Sequence, residues 1–214
     1  MVYSIAKCTF IPFYKLWLRK VEGMENIPTD TSFIIALNHV SYYDAILPYV
    51  ILIPKLNKQV HALANSRYWK LLPAKIILDL GKCIPVYVGK DNNPKKNEAA
   101  LQKAAKFLRK GNLIQIFPEG TRSPDGKLQK GYSGVARLSL QAKVPVVPIG
   151  VIGANKVLPK GKLLPRLKRC DVKIGKPMYF TEYYNKKINN KVLEDMTRKI
   201  MKNIAKLIGQ EYNY

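Results

Sequence analysis

Apolar residues cluster in six short runs along this chain: Ser32–Leu37, Gln59–Ala64, Cys83–Val88, Leu113–Phe117, Val144–Val151 and Cys170–Ile174. Most are near-continuous rather than alternating, the pattern of strands buried on both faces. Between them lie stretches with helical periodicity: Tyr42–Ile53, Arg67–Leu80, Pro94–Arg109, Tyr132–Ala142 and Lys191–Ile208. The third has the clearest ends, with Asn93 as cap, Pro94 at the first position and Gly111 just beyond. Proline fits the first helical turn because its missing N–H has no partner there. Leu101, Ala104, Ala105 and Leu108 form its apolar face. Strands alternating with helices predict an α/β fold, a single domain around a mostly parallel central sheet flanked by helices.

The first twenty residues follow a different pattern. Phe10, Phe13, Tyr14, Trp17 and Leu18 are interspersed with Lys7, Lys15, Arg19 and Lys20. The uninterrupted apolar stretches fall far short of the roughly 20 residues that span a bilayer. The basic residues do not precede a single apolar core and no small-x-small cleavage pattern follows, so a signal peptide is not expected. The composition predicts an amphipathic helix over residues 1–20 lying in a membrane interface, ahead of a domain over 21–214. The same residues also suit a helix packed on the domain's own core.

Charge narrows the partners. The 214 residues carry 37 Lys and Arg against 14 Asp and Glu, a formal net charge of +23. Between Lys156 and Lys206 there are fifteen cations and four carboxylates. Such a field attracts anionic lipid surfaces, acidic substrates or nucleic acid, and does not by itself choose among them. Cys8, Cys83 and Cys170 are widely spaced, and with two histidines they give no zinc-ligand pattern. Reduced thiols are expected.

One candidate for chemistry is Asn38-His39-Val40-Ser41-Tyr42-Tyr43-Asp44, placed where the first apolar strand ends. Imidazole titrates near neutrality, and a carboxylate beside it fixes its tautomer and stabilises the imidazolium. On a regular helix five residues turn about 500°, which would hold His39 and Asp44 about 140° apart. They meet only if His39 lies in the loop and Asp44 in the first helical turn, with Ser41 as the cap. A second account fits as well: Asp44 only caps its helix, and His39 is a satisfied buried histidine.

A second candidate follows the strand Leu113–Phe117: Phe117-Pro118-Glu119-Gly120-Thr121-Arg122-Ser123. Pro118 stops sheet pairing, Gly120 lets backbone approach a ligand, and Arg122 offers a planar fork suited to phosphate. Alone, this could be an ordinary turn with a surface ion pair. The chain has no Gly-x-Ser-x-Gly nucleophile elbow, Walker phosphate loop or dinucleotide glycine fingerprint.

With both motifs in view, the chain resembles the glycerolipid acyltransferase family. That family carries Asn-His-x-Ser-x-x-Asp, seen at Asn38–Asp44, and Phe-Pro-Glu-Gly-Thr-Arg-Ser, seen unchanged at Phe117–Ser123, about 80 residues later. Val21–Pro28 looks like the family's opening strand and turn, Lys130-Gly131 like its Lys-Gly, and Val144–Ile149 like its later apolar block. The resemblance implies an O-acyltransferase in which His39 is the general base on a lysophospholipid hydroxyl and Asp44 orients it. The acyl donor would be acyl-CoA or acyl carrier protein, attacked directly, with no metal or redox cofactor. Glu119, Gly120, Thr121 and Arg122 would hold the phosphate and glycerol of 1-acyl-glycerol-3-phosphate, giving phosphatidic acid. It also implies a peripheral or monotopic enzyme at the cytoplasmic face of an anionic membrane.

Two departures bear on the acceptor. Val88 stands where the family has an arginine, and Asn65 where a lysine is common. Arg67, Lys90 and Lys130 are the cations expected to replace them. Another lysophospholipid or a lipid alcohol is the alternative acceptor. A nucleic-acid-binding module explains the charge but neither motif, so nucleic acid is not an expected partner.

Overall fold

The computed structural model describes residues 10–159, 161–162, 164–184 and 186–214. Seven strands form one sheet: β1 (Leu18–Glu22), β2 (Ile34–Leu37), β3 (Val60–Asn65), β4 (Ile84–Val86), β5 (Leu113–Ile116), β6 (Val146–Ile152) and β7 (Cys170–Ile174). Their order across the sheet is β1-β7-β6-β2-β5-β3-β4. Every pairing is parallel except β6 with β7. All six apolar runs are therefore strands, in a single mostly parallel α/β sheet.

Near-continuous apolarity follows from cover on both faces. Ile34, Ala36, Ile114, Ile116 and Val146 point to one core. There they meet α4 (Pro94–Arg109), α5 (Gly134–Ala142) and α7 (Asn190–Ile208). Ile35, Leu37, Leu113, Val147 and Ile149 point to the other core. That side is packed by α1 (Phe10–Lys15), α2 (Leu47–Leu56) and the single turn α6 (Ala154–Val157). The remaining helix, α3 (Leu72–Leu80), buries none of its residues.

Helix boundaries differ from the sequence expectation at two prolines, for one reason. The helix expected from Tyr42 begins at Leu47, with Pro48 in its first turn. The helix expected from Arg67 splits into a 3₁₀ segment, Ser66–Lys70, and α3, with Pro73 in the first turn. Proline has no N–H to donate to the carbonyl four residues back, so it fits the first turn of a helix without loss, whereas Pro54 inside α2 forgoes that bond. By contrast α4 spans Pro94–Arg109 as expected, and the Asn93 side chain accepts from the Lys96 amide at 3.1 Å.

The amino-terminal helix also differs in extent. Residues 1–9 lie outside the described residues. Of the rest, the helix ends at Lys15, and Leu18, Arg19 and Lys20 belong to β1. Among the described residues that strand pairs only with β7, and it is rich in charge, which suits an edge strand and hides it from apolar periodicity. Gly23 then turns the chain at φ 80°, where a Cβ would stand 2.0 Å from the Ile174 carbonyl oxygen. No described helix is long and apolar enough to cross a membrane.

Candidate active site

The two motif loops leave the carboxyl ends of β2 and β5, which are adjacent parallel strands. In open α/β sheets the crevice at such carboxyl ends is where ligands bind. The chain then departs in opposite directions, from β2 to β3 beyond β5 and from β5 to β6 beyond β2.

Asn38 is the last anchor before the first loop. Its side chain donates to the Val151 carbonyl at 2.9 Å and accepts from the Val151 amide at 2.7 Å, continuing the β2–β6 ladder after the main chain turns away. His39 follows in the loop. Its Nδ1 lies 2.8 Å from Asp44 Oδ1, and its side chain is 14% exposed against 0% for Asp44. The imidazole stacks on Phe117, centroids 3.7 Å apart and planes 17° apart.

Asp44 is fixed from its other oxygen. Oδ2 accepts from the amides of Val40 and Ser41, both at 2.7 Å. The expected meeting of His39 with Asp44 therefore occurs, but not at a helix start: residues 42–46 form turns, and Ser41 does not cap α2, which begins at Leu47. Ser41 Oγ instead donates to the Leu158 carbonyl at 2.7 Å and accepts from the Tyr43 amide at 3.1 Å. Nδ1–H of His39 donating to the carboxylate leaves Nε2 as the basic nitrogen.

Glu119 ties the second loop to the first. One carboxylate oxygen accepts from the His39 amide at 2.6 Å and the other from the Gln129 amide at 2.8 Å. Ser123 adds a second link, its amide donating to the His39 carbonyl at 2.7 Å. Glu119 is 1% exposed. Both of its oxygens serve main-chain amides, so its geometry positions His39 rather than presenting a carboxylate to a ligand. Gly120 sits at φ 65°, and a Cβ there would touch the Tyr132 ring at 3.3 Å. Its amide donates to the Phe117 carbonyl at 3.0 Å.

Burial pushes the Glu119 carboxyl up to about 7, against the lowering effect of the two amides. A folded pKa above the unfolded value of 4.5 means that folding favours the protonated form. The stability from this group is complete below pH 4.5 and is lost as pH rises to about 7. Glu119→Gln removes the titration. From pH 4.5 to 7.5 the wild type should lose up to about 3 kcal/mol relative to this variant, measured by urea unfolding at both pH values.

Arg122 lies over the Tyr42 ring, 3.7 Å from guanidinium carbon to centroid, and Nη2 donates to the Tyr42 hydroxyl at 3.1 Å. Tyr68 packs edge-on against Tyr42, centroids 6.0 Å apart, and burial pushes its hydroxyl up to about 12. Tyr42 and Tyr68 were not singled out from sequence. The side-chain role of Asn38 was not read from sequence either, and Ser41 was read as a helix cap, although both lie inside the first motif.

The other expected cations are more loosely placed. Arg67 donates to Asp91 at 2.6 Å, a pair exposed on both sides. Lys90 is exposed in the short 3₁₀ segment Gly89–Asp91 after β4, and Lys130 and Thr121 are exposed on the loop before α5. Asn65 uses its side chain to accept from the Arg67 amide at 3.0 Å. The structure thus joins His39, Asp44 and Glu119 directly and sets Arg122 on the neighbouring aromatic pair. His61, the other histidine, is buried within β3 near its amino-terminal end, stacked on Phe107. Burial lowers its pKa.

The sequence profile of the acyltransferase family matches residues 18–152, which contain both motif loops and the strands that carry them. This chain belongs to the acyltransferase family. A 1-acyl-sn-glycerol-3-phosphate acyltransferase of Bacillus subtilis is 30% identical over 165 residues, covering 77% of this chain and 75% of that protein. The chloroplastic enzymes of the same description from Arabidopsis thaliana and Brassica napus are 30% and 29% identical over 73% and 89% of this chain. The chain spans about half the length of these plant relatives, 41% and 54%. The crystal structure of a 1-acyl-sn-glycerophosphate acyltransferase from Thermotoga maritima has the same fold, with a TM-score of 0.68 over 99% of this chain and 83% of that one, at 23% identity.

Proposed function

We propose that this acyltransferase moves a fatty acyl group from acyl-CoA or acyl carrier protein to the free hydroxyl of 1-acyl-glycerol-3-phosphate, forming phosphatidic acid. The observation that carries this reading is the His39–Asp44 pair, held by Val40, Ser41 and Glu119 at the carboxyl edge of the sheet. The family membership and the activity for which the relatives are named support the substrate class.

In this reading His39 Nε2 takes the proton of the acceptor hydroxyl. The alkoxide lone pair forms the new C–O bond at the thioester carbonyl, and the C–S bond breaks. The departing thiolate takes the proton back from the imidazolium, so the enzyme returns to its starting state. A thioester is already activated, so positioning and deprotonation supply much of the rate. The amides of His39, Val40, Ser41, Gly120, Ser123 and Gln129 are all committed to protein acceptors, so the oxyanion is stabilised elsewhere. The enzyme works at the cytoplasmic face of a membrane, peripheral or monotopic, where its positive charge meets anionic lipid.

Arg122 is the phosphate contact. Its guanidinium keeps nitrogens free while stacked on Tyr42, which lowers the entropy cost of binding. Arg122→Ala should raise the KM for lysophosphatidic acid about tenfold or more, with a smaller effect on the acyl donor. Initial rates against each substrate in turn check this, and unchanged acceptor kinetics would contradict it.

One set of observations favours a second acceptor. Val88 and Asn65 replace family cations, and Arg67 is engaged by Asp91. A lysophosphodiester or lipid alcohol needs fewer counter-charges than a phosphate monoester. Thiol release from acyl-CoA with lysophosphatidic acid, lysophosphatidylcholine and monoacylglycerol decides between them. The proposal requires the first to be turned over fastest.

A further inference from the structure

The helix α3 breaks a general rule. Its sequence, Leu72 to Leu80, is apolar on nearly every side, and its two charged residues, Lys75 and Asp79, are tied to each other at 2.6 Å. A helix apolar all round is normally buried. Here Leu71, Leu72, Ile76, Ile77 and Leu80 are 53–69% exposed. Trp69, whose indole donates to Asp79 at 2.9 Å, stands at its start. Five large apolar side chains within ten residues form a contiguous patch of the kind that marks an interaction surface.

A second exposed apolar patch lies at the other side of the site. Leu164 and Leu167, 81% and 98% exposed, project from the loop between α6 and β7. Phe13 and Leu16 of the α1 segment are 54% and 62% exposed. The Trp17 indole donates to the Arg166 carbonyl at 2.9 Å, which holds these two segments together.

Topology puts both patches at one edge. Strands β2–β6 run one way, and β7 and β1 run the other. The carboxyl ends of the first five and the amino ends of the last two therefore share an edge. His39, Glu119, the start of α3, residues 164–169 ahead of β7 and the end of α1 all lie there. The short turn carrying the dyad is bonded to both sides. Ser41 bonds Leu158 and Tyr43 bonds Tyr14 on one, and Tyr42 packs on Tyr68 on the other.

The charge around both patches is positive. Ser66–Lys82 contains Arg67, Lys70, Lys75 and Lys82 against Asp79 alone, and Lys156–Arg169 contains cations and no carboxylate. A second copy of this face would bring like charges together, whereas an anionic lipid surface is complementary. We propose that this edge docks on an anionic bilayer, with α3 and the Leu164–Leu167 loop as two apolar footings on either side of the His39 turn. This assigns to α3 a lipid-binding role, and it rests on the lipid acyl-transfer reading. Footings on both sides would hold the dyad at the headgroup level, where the hydroxyl of a lysolipid lies.

The test is co-sedimentation of the full chain with phosphatidylglycerol–phosphatidylcholine vesicles. Ile76→Ser with Ile77→Ser, and separately Leu164→Ser with Leu167→Ser, should each weaken vesicle binding about tenfold. Ile76→Leu with Ile77→Leu should retain it, and circular dichroism should match the wild type in all, since these side chains are exposed. Binding unchanged in both serine variants would overturn the proposal. So would a wild-type dimer, seen by light scattering, that the Ile76→Ser/Ile77→Ser variant dissociates. Transfer to a monomeric, short-chain lysophosphatidic acid without vesicles separates this from the chemistry. It should be the same in the wild type and the serine variants. Failure of that reaction in every protein, with vesicle binding as expected, would overturn the acyl-transfer reading and leave the docking surface standing.

Discussion

His39→Ala is expected to lower acyl transfer by about 10²–10⁴-fold or more, the range contributed by a positioned general base. The fold should survive the change. Asp44 keeps its two bonds from Val40 and Ser41, and the Glu119 bond uses the His39 main chain, which alanine retains. The measurement is thiol release from acyl-CoA with a lysophosphatidic acid acceptor, on protein whose circular dichroism and unfolding midpoint match the wild type. Turnover within a few-fold of wild type would remove His39 from the chemistry.

Asp44→Asn is expected to have the second-largest effect, on activity and stability together. The carboxylate is fully buried and accepts from His39 Nδ1, Val40 N and Ser41 N at 2.7–2.8 Å. An amide has one acceptor oxygen and one donor nitrogen. If its oxygen faces the two main-chain amides, its NH₂ faces Nδ1 and the imidazole takes the opposite tautomer, with Nε2 protonated and unable to act as base. If it flips, two buried amides lose their acceptor. Activity should fall by about 10²–10⁴-fold. Unfolding free energy should fall by about 1–3 kcal/mol, the cost of a buried polar group left unpaired. Kinetics and urea unfolding on the same preparation check both. A variant that lost stability but kept its rate would mean that Asp44 is only a loop anchor.

The difference between these two residues explains what was legible in the sequence. The six apolar runs gave the strands because burial on both faces leaves a local composition signal. The helix α4 was legible to its ends because its stop and start residues, Asn93, Pro94 and Gly111, act within one turn of it. Pro48 and Pro73 carry equally local information about where α2 and α3 begin, but apolar residues on both sides of each continue the helical pattern across the boundary. The edge strand β1 has one neighbour and three charged residues among its five, so nothing in its pattern distinguishes it from a solvated loop.

Within the site, the His39–Asp44 contact could be inferred because only five residues separate the two, although they meet in a turn and not at the helix start that the spacing suggested. The role of Glu119 could not. Its two partners, His39 and Gln129, are 80 and 10 residues away, and main-chain amides carry no sequence signature. From sequence its carboxylate suited a ligand site. The structure spends both oxygens on holding two loops. Arg122 kept the guanidinium chemistry read from its type, but its stacking on Tyr42 depends on a strand adjacency that only the fold supplies. The exposed apolar surface of α3 was likewise invisible, because apolar periodicity alone reads as a buried helix.

The central claim is that the acyl group passes directly from the thioester to the lysolipid hydroxyl under base catalysis by His39. It is tested most directly by incubating the protein with isotopically labelled acyl-CoA and lysophosphatidic acid, then quantifying labelled lipid, free thiol and labelled protein together by mass spectrometry. The account predicts labelled phosphatidic acid and free thiol in equal amounts, no labelled protein, and loss of both products in His39→Ala. Thiol release without labelled lipid, a labelled acyl-protein on the route to product, or equal product from His39→Ala would contradict it.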